Sequence, residues 1–562
     1  MARQAGATHP DTRTDAEALP EERGRVRRVI AASSLGAVFE AYDLVLFGPM
    51  AAIIARQFFS GLDEAYAYVF TLLSAAVTFL ARPFGGLIFG RLGDLVGRKV
   101  TFLLTIVLMG GATVAIGLLP SYAAVGVLSP ILLMTLRIVQ GLAFGGEFGG
   151  AVIYIAEHAS AERRGLATSA VGVTMACGLV LAILVVLACE AALGKAAFEA
   201  WGWRIPFLLS SVLMGVSIYM RLKLQESPVF LAMRRGGGGS RRPVTEALGR
   251  WANLRVVLLV LFGAVAGQAV ATATGSYPIY LLMLNLKIDP FLLHYTILGY
   301  STCLVACMIA AGWLCDRIGR KPVTLAGFLG TAVLALPVYE GVTRHAHPDL
   351  AAAVAERPVV VAADSAGCSR QFDPFGLARF DSPCDVARRA VAKLGVPYTA
   401  RDLAAGETAR IEIGAVVLAA FDGAGLDGPT LTARTAAFGR DLAEAVKAAG
   451  YPARADPAKT DVPMLIALMS LLNAFVALAS APLAAWMIEL FPTRIRNTAL
   501  SVPYTVGGWF GGFFPAIAFS AFTATGHLYA GLWYAVAVLA VAFAVSALFL
   551  PETRGRALDA IQ

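Results

Sequence analysis

The chain has 562 residues, of which 58% are hydrophobic and only 15% are charged, with a formal net charge of +8. This balance excludes an ordinary soluble globular domain. The basic excess does not point to nucleic acid, because the basic residues fall between apolar runs instead of forming one patch.

Residues 1–28 are polar with no apolar core, the composition of a disordered cytoplasmic arm and not of a cleavable signal peptide. Beyond them the chain becomes apolar. Runs of about 20 apolar residues suffice to span a bilayer. Twelve begin near 29, 66, 100, 128, 165, 205, 255, 291, 321, 463, 497 and 528, which predicts helices 1 to 12. Basic residues cluster in alternate connections, at 23–28, Arg91/Arg98/Lys99, Arg163/Arg164, 221–255, Arg317/Arg320/Lys321, Arg494/Arg496 and Arg554/Arg556. The intervening connections hold little beyond Arg56, Lys195 and Lys287. This asymmetry predicts a multi-pass protein with both termini in the cytoplasm.

After helix 2 comes Gly90-Arg-Leu-Gly-Asp94-Leu-Val-Gly97-Arg98-Lys99, and after helix 8 comes Gly312-Trp-Leu-Cys-Asp316-Arg-Ile-Gly319-Arg320-Lys321. The shared glycines, aspartate, arginine and lysine recur at an offset of 222. A polar loop repeated between membrane helices means two related halves, 29–225 and a second half of 255–341 plus 462–550. The outer glycines let neighbouring helices approach, the inner ones allow a tight turn, and Asp94 and Asp316 suit helix N-termini. Their expected targets are the starts of helix 11 and helix 5.

A second repeat pairs Glu157 and Arg164 with Glu489 and Arg496, now at an offset of 332. The offset grows from 222 to 332, so about 110 residues are inserted between helices 9 and 10, over roughly 342–461. Counted from the cytoplasmic N-terminus, that insertion is periplasmic. Residues 358–364 and 408–418 read as strands, and 385–394 and 432–449 as amphipathic helices, a small α/β domain. Residues 226–254, with glycines 236–239, read as a flexible basic connector, and 551–562 as a cytoplasmic tail. Cys177, Cys189, Cys303, Cys307 and Cys315 fall in or at apolar helices as packing residues. Cys368 and Cys384 are alone in the insertion, where a disulfide is expected. His345, His347 and Asp349 read as a solvated loop, so no metal site is assigned.

Ionisable residues inside a membrane are costly and usually functional. Helix 1 carries Glu40 and Asp43, helix 2 Arg82, and helix 4 Arg137 and Glu147. Their repeat counterparts are Phe262, Val265, Leu304, Met469 and Ala479, all apolar, so the fold does not require charge there. Asp43 and Arg137 are read as a titrating pair, with Glu147 and then Glu40 as alternative proton carriers. Arg82 is read as the partner of a substrate carboxylate. Tyr42 and Gln140 on the first half, and Tyr277, Tyr280, Asn473 and Tyr504 on the second, are candidate substrate contacts.

These features together resemble the major facilitator superfamily. Further phrases resemble its metabolite:proton symporters, the group with shikimate, α-ketoglutarate, citrate and proline/betaine carriers. They are Glu40-Ala-Tyr42-Asp43, Arg82-Pro83-Phe-Gly-Gly, Arg137-Ile-Val-Gln140-Gly141 with Gly145-Gly-Glu147, Trp201-Gly-Trp203-Arg204, Glu226-Ser-Pro228, Glu489-Leu-Phe-Pro492 and Pro551-Glu552-Thr-Arg554-Gly. Ala41 departs from the family, which usually carries tryptophan there.

The resemblance implies twelve helices in two six-helix halves, and an inner latch at Gly90, Asp94, Gly97, Arg98, Asp316, Gly319 and Arg320, with the Glu157/Arg164 and Glu489/Arg496 pairs beside it. It also implies a proton-coupled symporter of a bacterial inner membrane that imports a small polar metabolite, first an organic acid of the shikimate or dicarboxylate type. The alternatives are a zwitterionic osmolyte carrier, a proton-linked exporter, or a transporter-derived receptor sensing through the insertion. Helix 5 lacks the Gly-Pro pair of drug antiporters, which counts against export. No enzymatic constellation is present. The expected partners are substrate, protons and the bilayer, with no nucleic acid and no cofactor beyond the proton gradient, in a monomer.

Overall fold

The computed structural model describes residues 36–60, 64–222, 231, 235, 240–369, 371, 378–404, 406–556 and 558, with side chains at 51, 52, 64–76, 98, 148, 151, 284 and 290 outside the description. The expected arm at 1–28 and glycines 236–239 lie outside the described residues.

Helix α1 runs through 36–58 and α2 through Glu64–Leu95. Among the described residues, ten helices then follow that are long and apolar enough to cross a membrane. They are α3 (Lys99–Leu118), α4 (Leu128–His158), α5 (Arg164–Leu193), α6 (Arg204–Leu222), α7 (Trp251–Met283), α8 (Phe291–Ile318), α9 (Arg320–Ala346), α10 (Val462–Ile488), α11 (Arg496–Thr525) and α12 (Leu532–Phe549). The ends obey local rules. Asp289 caps α8, its Oδ1 accepting from the N–H groups of Phe291 and Leu292 at 2.9 and 3.3 Å. Gly97 and Gly319 open α3 and α9 with φ of 131° and 113°, a region that side chains avoid.

Small residues set the close contacts. A Cβ on Gly145 would overlap the Arg82 carbonyl of α2, and one on Gly327 would overlap the Ala479 backbone of α10. Ala41 packs against Gly178 of α5, so the short side chain draws α1 and α5 together. The two halves meet where α2 packs on α11 and α5 on α8. These are symmetry-related pairs, and their loop ends define one face of the molecule, the latch face.

The insertion between α9 and α10 forms a four-stranded sheet of order β2-β1-β3-β4. Its strands are β1 (Val359–Ala363), β2 (Tyr398–Asp402), β3 (Arg410–Ile413) and β4 (Val416–Ala419). β1 is parallel to β2 and antiparallel to β3, which is antiparallel to β4. The run 408–418, expected as one strand, is a hairpin, because Gly414 takes a left-handed φ of 58° and permits a tight turn. Helix Pro383–Leu394 buries Val386, Ala387, Ala390 and Val391 and packs on β1 and β3, and helix Gly428–Ala448 buries Phe438, Leu442 and Val446 and packs on helix Pro383–Leu394. Cys368 and Cys384 form a disulfide with a Cα–Cα distance of 5.3 Å.

The domain is seated on the ends of α7 and α11. Tyr398 donates from its backbone N–H to Gly526 at 3.1 Å and from its hydroxyl to the Thr523 carbonyl, and Gly395 lies against Asn285. This end is the insertion face. His347 does not stand in a solvated loop: its Nδ1 accepts from the Leu350 N–H at 3.4 Å and caps the helix Pro348–Glu356. The connector, expected to be flexible, contains the helix Pro243–Gly249, with Ala247 buried and Glu246 paired to Arg494 at 2.6 Å.

Candidate functional site: a closed latch and buried membrane charges

On the latch face two carboxylates each cap a helix of the other half. Asp94 Oδ1 accepts from the Asn497 N–H at 3.2 Å, and Oδ2 from the Thr498 N–H and hydroxyl at 2.9 and 2.7 Å, at the start of α11. Asp316 Oδ1 and Oδ2 accept from the N–H groups of Gly165 and Leu166 at 2.8 and 2.7 Å, at the start of α5. A carboxylate there meets both orphan N–H groups and the positive end of the helix dipole. Gly312 leaves room for Ser169, and Gly90 for Thr498.

Beside the caps, Arg164 pairs with Glu489 at 2.7 Å and Arg496 with Glu157 at 2.9 Å, each across the halves. Arg320 joins Asp316 at 2.9 Å to Glu489 at 3.3 Å. The Arg98 side chain lies outside the described residues. Glu552, Thr553, Arg556 and Leu558 of the tail join this network, which sequence reasoning missed. Glu552 accepts from the N–H groups of Arg320 and Lys321 at 3.0 and 2.9 Å, and Thr553 donates to Glu489 at 2.5 Å. Arg164 and Arg496 donate to the carbonyls of Arg556 and Leu558, both at 3.1 Å. An acidic residue just past the last apolar run was the available signal.

Within the membrane the charges are arranged differently from expectation. Asp43 and Arg137 are not paired among the described residues. Asp43 faces α6 and accepts from the Ser210 hydroxyl at 2.5 Å. Arg137 folds along its own helix to Gln140 at 2.8 Å, and its guanidinium stacks 3.9 Å from the Phe47 ring centre. Gln140 in turn donates to Thr113 at 2.8 Å. Arg82 lies between the rings of Phe79 and Phe144, at 3.8 and 4.3 Å, next to Arg137 and facing Tyr504 of the second half. Neither guanidinium has a carboxylate partner among the described residues.

Glu40, Glu147 and Arg221 are buried together below Asp43, toward the latch face. Arg221 pairs with Glu40 and stacks 3.3 Å from the Phe102 ring centre. Arg221 was counted among the basic residues clustered at 221–255, because an arginine ending an apolar run reads as a topological charge.

Two candidate contacts are corrected. Tyr42 is fully buried and donates to the Pro206 carbonyl at 2.7 Å, so it ties α1 to α6. Asn473 donates to the carbonyls of Gly275 and Met469 at 3.2 and 2.9 Å, so it ties α10 to α7. Tyr277 packs in an aromatic cluster with Tyr339 and Phe514, while Tyr280 is 40% exposed. π-helical turns at Val260–Val265 and Leu281–Asn285 interrupt α7 on either side of them.

Two pseudo-symmetric helical halves, cross-half caps and intramembrane charges define a membrane protein of the major facilitator type. The profile of the family described as Sugar (and other) transporter matches residues 29–244 and 445–562, and the chain belongs to that family. It is 33% identical over 335 residues to the glycine betaine/proline/ectoine/pipecolic acid transporter of Dickeya dadantii, 34% over 336 to the proline/betaine transporter of Escherichia coli, and 36% over 320 to the shikimate transporter of Escherichia coli. Each alignment covers 56% of this chain, and 64%, 65% and 72% of those proteins. The chain thus matches just under two thirds of the length of the first two. A proton:xylose symporter shares the fold, with a TM-score of 0.62 at 16% identity, covering 96% of this chain and 98% of that one.

Proposed function

We propose that the chain is a proton-coupled symporter that imports a small carboxylate-bearing metabolite by alternating access, first an organic acid. The observation that carries this is the pair of neighbouring guanidiniums, Arg82 and Arg137, which have no carboxylate partner among the described residues. Such a pair favours an anionic ligand, and the guanidinium fork fits a carboxylate in two places. Arg82 faces Tyr504, so a carboxylate held there touches both halves and senses their relative motion.

Asp43 is the proton carrier in this reading. It sits apart from Arg137 while the latch is closed, and substrate-driven movement of α1 against α4 brings the two into range, which favours the ionised carboxylate and releases the proton. The alternation of basic connections supports a cytoplasmic latch face and a periplasmic insertion in a bacterial inner membrane. A second reading, a zwitterionic osmolyte such as proline or a betaine, is supported by the names of the relatives and by the aromatic faces of Tyr277 and Tyr280.

The test is proton uptake by the full chain in vesicles when shikimate, α-ketoglutarate, proline or glycine betaine is added. Proton influx with an acid supports the first reading, and influx with proline or betaine alone selects the second. Substrate movement without protons rejects symport.

A further inference from the structure

The buried charges of the first half fall in two rungs along α6. The upper rung is Asp43 with Ser210. The lower rung is Glu40, which accepts from the Ser217 hydroxyl at 3.5 Å and pairs with Arg221. Ser210 and Ser217 are two helical turns apart, about 10 Å along the axis. The Glu40 side chain points back toward the start of α1, as helical side chains do, and so toward the latch face.

Glu147 of α4 completes the lower rung beside Glu40 and Arg221, with Asp43 the next charge above. Phe102 of α3 closes the other side. The exposure of Glu40, Glu147 and Arg221 is 6%, 5% and 1%. Among the described residues toward the latch face, Lys99 donates from its Nζ to the Leu222 carbonyl at 2.9 Å.

The charge count of this rung is unusual. Two carboxylates share one arginine, and Oε2 of both glutamates has no hydrogen-bond partner among the described residues, nor do Nε and Nη1 of Arg221. A purely structural ion triad would use those atoms, because a buried charge left half-satisfied is expensive. Two like charges in one apolar site also cannot both ionise cheaply, whereas one shared proton leaves a neutral set with Arg221.

We propose that Glu40, Glu147 and Arg221 form a second proton station, which receives the proton of Asp43 and delivers it to the latch face. This rests on Asp43 being the entry site. In the step, the O–H bond of the Asp43 carboxyl breaks and an O–H bond forms on Glu40 or Glu147. The Asp43 carboxylate remains above, and the proton leaves the station to water on the latch face. Arg221 does not move the proton; it holds the second carboxyl ionised, and so is a positioning residue.

The test is infrared difference spectroscopy of the full chain in lipid vesicles across a pH series, with no substrate needed. A protonated carboxyl band is expected in the wild type. Because the Asp43 carboxyl adds to it, the band is read in the Asp43→Asn background, where it should remain, be lost on adding Glu147→Gln and be restored when Glu147→Asp is added instead. Proton uptake with shikimate and with glycine betaine is measured on the same preparations. There Glu147→Gln should lose the dependence of net uptake on the latch-side pH, while exchange falls less.

An Asp43→Asn spectrum without the band, or a band there that neither Glu147→Gln nor Glu40→Gln alters, overturns the proposal and leaves a structural triad. Should Glu147→Gln fail to insert, the Asp43→Asn spectrum alone decides, because Asp43 cannot supply the band there. If instead Asp43→Asn accumulates substrate like the wild type, the entry site is wrong while the band still reports on the lower station.

Discussion

Replacing Asp94 with asparagine should open the latch face. The carboxylate is 4% exposed and accepts three hydrogen bonds from the start of α11, all across the boundary between halves. Asparagine keeps one oxygen and turns an amide donor toward backbone N–H groups. A hydrogen bond to a charged acceptor contributes about 1.5–3 kcal/mol, and a buried donor left unpaired costs about 1–3 kcal/mol. With one of the two oxygens preserved, the latch-closed state loses about 2–4 kcal/mol. That is a shift of about 30- to 700-fold in the closed-to-open ratio at 1.4 kcal/mol per tenfold. Spin labels at Glu162→Cys and Arg317→Cys, both exposed and on opposite halves, read the separation directly once the exposed Cys303 is replaced by serine. The longer distance should dominate in Asp94→Asn. An unchanged distance distribution, in folded protein, would refute the idea that this cap holds the halves together.

Arg82→Lys keeps the charge but loses the fork and the stacking on Phe79 and Phe144, so the KM for a carboxylate substrate should rise with little change in kcat, measured by initial uptake rates. Cys384→Ser removes a bridge with a sequence separation of 16, which should destabilise the insertion by about 3 kcal/mol in the chain-entropy model, read as faster proteolysis within 358–461. His347 is held below its ordinary value by burial, against a weaker upward pull from Asp349. The folded state therefore binds fewer protons than the unfolded one. Stability is full above about pH 6.5 and falls as the pH drops below it. Hydrogen exchange in the Pro348–Glu356 helix should quicken in acid, and His347→Asn, which caps without titrating, should remove that pH dependence.

The apolar runs and the repeated Gly-Asp-Gly-Arg-Lys loop carried most of the architecture, since membrane length and left-handed turns leave few alternatives. They directed Asp94 to the start of helix 11 and Asp316 to the start of helix 5, and the caps fall on Asn497 and Thr498 and on Gly165 and Leu166. The strand Tyr398–Asp402 was not legible, because only its first residue is buried and the rest read as a polar loop. Tyr42 and Asn473 were misread because a polar group inside a membrane can serve a ligand or tie two helices. Only the partners Pro206, Gly275 and Met469 distinguish the two uses. Arg221 was hidden because positive charge at a helix end is the ordinary topological signal, and its burial against Phe102 is a tertiary fact.

The central claim is that Asp43 couples protons to substrate. Asparagine at this position keeps the shape and a bond to Ser210 but cannot titrate. In vesicles with an imposed pH gradient, Asp43→Asn should fail to accumulate substrate uphill while still exchanging labelled for unlabelled substrate, because exchange moves no net proton. Accumulation equal to the wild type would contradict the account and move the coupling site to Glu147 or Glu40.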